Sequence, residues 1–416
     1  MFSILGIIFY YLILAFIIAW FMKRSSFPLV NKEIFLVFGL KIVAGCLYGY
    51  IFLTFFGGDD TWLYHRHSLE EYQKLIKDPL QFIGELSPSS AIAGSNGFWQ
   101  AIDFYIMDLE NGIMAKTLGF FNLFSRGNYY INVVFFNFIS FWGQYWLFAT
   151  MVKSYPLKRT ALFIAVFFIP PVVFWLSGIR AEGFLIFFFG MLIASFAKWL
   201  HASRIKTLIV VFVSLCGIVI FRNVLFLLVL PALTGWFISE RFSKRTVPVF
   251  FTVYGISILL FFGSVLLSPE KNLPSVVVNR QQDFFMKHGQ TRYSLDSLQP
   301  NPLSFISIAP QSINNTFFRP YIWEAKGAFQ LMSAIEVIMV WFLFVVFLIY
   351  KEHDWKKTAR DPLLIFLFLF SVSLYLFIGY TVPFPGAIVR YRILPELFLI
   401  TLLATLINWQ KAFKLK

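Results

Sequence analysis

The stretch IFLVFGLKIVAGCLYGYIFLTFFGGDDTWLYHRHS, residues 34–68, decides the fold. Residues 34–56 are an apolar run, and a helix crossing a hydrocarbon core needs about 20 such residues. The run stops at Gly57 and Gly58 and turns polar at once, with Asp59, Asp60, Tyr64, His65, Arg66 and His67. Two adjacent carboxylates after a helix C-terminus stand where the helix dipole disfavours them. Their position therefore asks for an explanation beyond solvation.

The rest of the chain repeats the apolar theme. Of 416 residues 59% are hydrophobic and 20% aromatic, against roughly 45–50% apolar in soluble domains. The composition predicts an all-α polytopic membrane protein with about eleven transmembrane helices, not a barrel. The spans lie near 3–22, 34–56, 129–150, 160–178, 182–199, 207–221, 223–238, 247–267, 328–350, 363–380 and 393–409. The two short runs flanking Arg222 read as a re-entrant hairpin or as two tilted helices. The first run lacks a basic start and a small-residue cleavage site, so it reads as a retained span and not a signal peptide. Cys46 and Cys216 fall inside apolar runs, as small core residues do.

The net charge of +14 does not point to nucleic acid, because the basic residues collect in short loops as the positive-inside rule requires. With the N-terminus outside and the C-terminus cytoplasmic, the cytoplasmic loops carry Lys23, Arg24 and Lys32; Lys153, Lys158 and Arg159; Lys198, Arg204 and Lys206; Arg241, Lys244 and Arg245; and Lys351, Lys356, Lys357 and Arg360. The tail adds Lys411, Lys414 and Lys416. The opposite face holds two long segments, 57–128 and 268–327, and short turns around Arg180, Arg222 and Arg390. In the first segment LEEYQKLIKDPLQFIGEL (69–86) and IDFYIMDLENGIMAKTLGFFNLF (102–124) mix apolar and charged residues at helical spacing, as interfacial helices do. The second is rich in Pro, Asn, Gln and Ser and reads as a folded loop with little regular structure. With no repeat and no soluble cofactor domain, the chain reads as one transmembrane domain.

Charged groups near membrane depth are costly, so their placement is informative. On the expected outer face stand Asp59, Asp60, His65, His67, Arg180, Glu182, Arg222, Arg319, Glu324, Arg390 and Arg392. Guanidinium forks match phosphate and pyrophosphate oxygens. One of two adjacent carboxylates suits a general base, and the pair suits a divalent cation such as Mg or Mn. The aromatics Trp62, Tyr64, Trp323 and Tyr391 suit a sugar face or an interface belt. The His65-x-His67 pair supplies two zinc ligands but no third at a metal spacing. Asn314-Asn315-Thr316 fits a glycosylation sequon.

The acidic pair after an early span, in the first large outer loop, resembles the GT-C superfamily of membrane glycosyltransferases. The resemblance implies a multi-span fold, a polyprenyl-phosphate-linked sugar donor, and an acidic catalytic residue at Asp59 or Asp60. The chain departs from that pattern by one additional span before the motif. VFWLSGIRAEGFLIFFFGMLI (173–193), FFRPYIWEA (317–325) and VRYRILPELFLI (389–400) are similar to segments of bacterial envelope-polysaccharide membrane proteins. That similarity implies that Arg180, Glu182, Arg319, Glu324, Arg390 and Arg392 belong to one site.

The expectation is a glycosyltransferase of the bacterial inner membrane, acting in envelope glycan synthesis at the extracytoplasmic face. Asp59 and Asp60 would be catalytic, and His65, His67, Arg180, Glu182, Arg222, Arg319, Glu324, Arg390, Tyr391 and Arg392 would bind substrate. Its partners would be a lipid-linked sugar or glycan, membrane lipids and other envelope-biosynthesis proteins. Three alternatives stay open: an O-antigen-type polysaccharide polymerase, a lipid-linked glycan transporter or flippase, and a non-catalytic scaffold.

Overall fold

The computed structural model describes residues 2–25, 29–84, 98–242, 245–267, 272–289 and 291–413. Lys244, Lys414, Lys416, residues 85–86 of the first amphipathic stretch and residues 268–271 of the second segment lie outside them. The described residues form helices and no strand; one isolated antiparallel bridge joins Lys351 and Ile407. The chain divides into two compact units, Met1–Phe226 and Leu227–Lys416.

The first unit contains α1 (Phe2–Met22), α2 (Asn31–Phe56), α3 (Asp59–Lys77), α4 (Pro79–Gly84), α5 (Phe98–Ser125), α6 (Tyr129–Ser154), α7 (Arg159–Phe167), α8 (Pro170–Trp175), α9 (Ala181–Ala202) and α10 (Ile205–Phe221). The second holds most of α11 (Asn223–Arg241), then α12 (Thr246–Gly263), α13 (Leu273–Phe285), α14 (Pro302–Ile313), α15 (Ala328–Tyr350), α16 (Trp355–Thr358), α17 (Pro362–Thr381), α18 (Pro385–Tyr391), α19 (Ile393–Leu406) and α20 (Trp409–Ala412).

Among the described residues, seven helices are long and apolar enough to cross a membrane: α1, α2, α9, α11, α12, α15 and α17. The protein is therefore a helical membrane protein, with a smaller set of qualifying helices than the eleven expected. The runs at 207–221 and 393–409 become the shorter apolar helices α10 and α19. The run at 129–150 becomes the 26-residue α6, whose Asn132, Asn137 and Gln144 lower its hydropathy.

The expected span at 160–178 is broken. Pro170 and Pro171 start a new helix, so the run splits into the nine-residue α7 and the six-residue α8. A break at membrane depth frees carbonyls that lipid cannot satisfy. The polar residues of neighbouring helices take them up. Gln144 Nε2 donates to the Val166 carbonyl at 2.8 Å. Asn137 Nδ2 donates to Ser177 O at 2.8 Å. Lys41 Nζ, buried in α2, donates to Leu176 O at 3.2 Å. The same α6 packs against α9 backbone to backbone, because a Cβ at Gly143 or Gly190 would overlap the facing main chain; small residues at such crossings let helices approach closely.

The amphipathic first segment folds as helices. α3 lies along α5, with Asn122 Nδ2 donating to Ser68 O at 3.1 Å and Lys116 Nζ pairing with Glu71 at 2.7 Å. The second segment is more helical than expected. Pro274 and Pro302 sit in the first turns of α13 and α14, where a missing N–H costs nothing. Asn272 and Asn301 cap those helices by accepting from Ser275 N and Ser304 N. The residues that look like loop formers are helix starts. Val277, Val278, Leu298, Phe305 and Ile308 bury a core there, and Gln281 fastens it by donating to Tyr380 O at 2.8 Å. Cys46 and Cys216 are free, half-buried thiols.

Candidate functional site

The acidic pair occupies a position different from the expected one. α2 ends at Phe56, and Gly57 (φ 67°) and Gly58 (φ 106°) turn the chain through the left-handed region. Asp59 follows at φ 47° and opens α3. Asp59 and Asp60 thus lie in the first turn of a new helix, where the dipole favours carboxylates. The glycines separate the end of one helix from the start of the next by two residues. The pattern of apolar runs carries no signal for so abrupt a restart, and on that pattern alone the pair falls at the end of α2. A left-handed Asp is tolerated better than most side chains but still costs about 1 kcal/mol, and such strain collects at functional sites.

Arg180 stands behind the pair. It is the extended residue before α9 (φ −153°), and its side chain is 3% exposed. Nη1 donates to Asp59 Oδ2 at 2.7 Å and to the Tyr48 hydroxyl at 3.0 Å. Nη2 donates to Asp60 Oδ2 at 2.5 Å. Glu182 Oε2 lies 3.9 Å from Arg180 Nε, and Glu182 Oε1 lies 3.6 Å from Arg222 Nη2. Burial opposes the charge of Arg180, but Tyr48, Glu182, Asp59 and Asp60 together hold its pKa well above the ordinary value. Asp59 and Asp60 are 36% and 46% exposed. The carboxylates are therefore open to a ligand, and the guanidinium that fixes them is not.

His65 and His67 do not converge. Two residues apart on α3, they point to different sides: His65 is buried and His67 exposed. His65 lies edge-on to Trp62 and Tyr129, at centroid distances of 5.6 and 5.5 Å. Burial, with a smaller contribution from Arg66, pushes its pKa down to about 4. Trp62 stacks one face on Tyr129 at 4.1 Å and donates to Gly49 O, so it packs the site. Among the described residues no three His, Cys, Asp or Glu side chains gather to hold a metal. Arg180 takes the Oδ2 atom of each carboxylate, the place that a bridging Mg or Mn ion would share.

The remaining expected residues belong to the second unit. Arg319 donates twice to Glu324 Oε1, at 3.0 and 2.7 Å, and lies 4.5 Å over the Tyr293 ring. Arg392, 3% exposed, donates to Arg319 O at 2.9 Å and pairs with Glu396 at 3.4 Å and Glu336 at 3.7 Å. Arg390 donates to the hydroxyl of its neighbour Tyr391 at 2.9 Å. Trp323 is 81% exposed and stacked on Tyr321. Asn314 of the sequon accepts from the Tyr321 hydroxyl at 2.6 Å.

Glu336, Glu396 and Lys41 were not expected as functional residues. Each is a single charge inside an apolar run, and that isolation was the available signal. Comparison with protein-family models, with curated proteins and with solved structures finds no match for this chain.

Proposed function

We propose that the protein is a membrane glycosyltransferase of GT-C type that takes a polyprenyl-phosphate-linked sugar at the extracytoplasmic face of a bacterial inner membrane. The observation that carries the reading is the clamp of Asp59 and Asp60 by one buried guanidinium, at the end of an apolar helix. Asp60, the more exposed carboxylate, accepts the proton of an acceptor hydroxyl. The freed oxygen attacks the anomeric carbon, and the bond from that carbon to the lipid phosphate breaks. The departing phosphate gains charge, which a guanidinium stabilises. Arg222, 27% exposed beside Glu182, takes that role. Arg180 holds Asp59 and Asp60 in register.

A second reading, a lipid-linked glycan transporter, draws on Lys41 and Glu396, ionisable groups buried inside apolar helices, and on the half-buried Glu336, groups of a kind that marks transport paths. Replacing Asp59 and Asp60 by Asn, singly and together, separates the two. The transferase reading requires loss of a glycan product and accumulation of its lipid-linked donor in cells with normally inserted protein. Normal product from the double variant would move the assignment to the transporter.

A further inference from the structure

The second unit has a cavity of its own, about 400 Å³, lined by Thr291, Arg292, Tyr293, Pro320, Glu324, Lys326, Gln330 and Pro385. We infer that it binds a phosphate- or pyrophosphate-bearing headgroup through Arg292 and Lys326. Among the described residues neither cation has a carboxylate within ion-pair distance. Arg292 lies over the Phe285 ring at 4.6 Å and reaches the Phe285 carbonyl only at 3.4 Å. The one acid in the wall, Glu324, is already neutralised: both bonds from Arg319 go to Oε1, and Oε2 accepts from Tyr321 N at 3.2 Å. The wall therefore presents two uncompensated positive charges and no uncompensated negative one.

The surroundings fit the same ligand. Tyr293 is held by its own N–H to Pro383 O at 2.8 Å, and its ring lies beneath Arg319. Burial, with Glu324 adding, pushes its phenol up to about 12, so it stays a neutral donor beside an anion. Thr291 and Gln330 add neutral hydrogen-bonding groups, and Lys326 N is fixed by Gln330 Oε1 at 2.7 Å. The cavity lies beside the first turn of α15, an apolar helix long enough to span. That level is reached both by a lipid headgroup and by a soluble phosphate. The inference stands apart from the proposal for Asp59 and Asp60, because its test reads binding and needs no turnover.

The experiment uses the full chain in nanodiscs, titrated with inorganic pyrophosphate and, separately, reconstituted with polyprenyl phosphate against phosphatidylcholine alone. The double variant Arg292→Gln/Lys326→Gln should weaken binding about tenfold or more. The charge-conserving Lys326→Arg should stay within about threefold of the native chain. Pyrophosphate binding that follows this pattern identifies a soluble phosphate ligand. Binding of polyprenyl phosphate alone, with the same pattern, identifies a lipid headgroup. Absence of saturable binding for both probes, equal binding by the Gln variant, or equal loss in both variants overturns the inference.

Discussion

Arg180 and Asp59 are 121 positions apart in the chain, yet Nη1 of the first donates to Oδ2 of the second at 2.7 Å. Nη2 of the same guanidinium reaches Asp60. One planar fork holds two carboxylates from consecutive residues, which a single ammonium point charge cannot do. Arg180→Lys should therefore lower product formation by about 100-fold while leaving membrane insertion unchanged. Product measured in the native host, normalised to inserted protein, checks this. Full activity with lysine would mean that the fork geometry is unused.

His65 gives the first unit an acid-sensitive element. Its folded pKa is about 4, below the unfolded value of about 6.5. The fold therefore favours the neutral ring, and the unfolded chain binds the proton first as pH falls. The stability contribution is complete above about pH 6.5 and is lost progressively toward pH 4, by about 1–3 kcal/mol in all. Thermal midpoints at pH 7 and pH 5 should fall further apart for the native chain than for His65→Gln. Equal falls would place the acid sensitivity elsewhere.

The helical class and the seven long apolar helices were legible because apolar length is a direct record of membrane thickness. The break at Pro170-Pro171 was visible but was read through, because the run stays apolar across it. What closes the break is non-local: Gln144 and Lys41 lie on other helices, and no local pattern announces that they serve carbonyls of this segment. The division into two units was not legible either, since an apolar run does not say which helices it packs against. Arg180, Glu182 and Asp59 were recognised as functional types, and the structure brings them together. That Arg319 and Arg392 stand in the other unit depends on tertiary packing, which similar short segments do not encode.

Arg392 is shared between Glu336 and Glu396 in the second unit; Arg392 and Glu396 are buried, and the Glu336 side chain is 14% exposed. Removing the guanidinium alone leaves one buried and one half-buried carboxylate without that compensation. Arg392→Met should destabilise that unit by about 3–5 kcal/mol. Adding Glu336→Gln and Glu396→Gln should recover most of the loss, because the cost comes from stranded charge and not from lost volume. Thermal unfolding in detergent checks both. A triple variant no better than the single one would assign the cost to packing.

Lys41 connects the broken helix to the acidic site. Its ammonium holds the Leu176 carbonyl, and only Ser177, Gly178 and Ile179 separate that carbonyl from Arg180. Lys41→Met keeps the length of the side chain and makes α2 more apolar, so insertion should be at least as efficient. The carbonyl then loses its partner at a cost of about 1–3 kcal/mol, and the segment leading to Arg180 relaxes toward another donor. Product formation should fall about tenfold, the equivalent of about 1.4 kcal/mol in positioning. Lys41→Arg retains a donor at the same depth and should recover part of the activity. If Met supports full product, the aim of Arg180 is set by Asp59, Asp60 and Tyr48 alone, and the buried lysine serves the fold without serving the site.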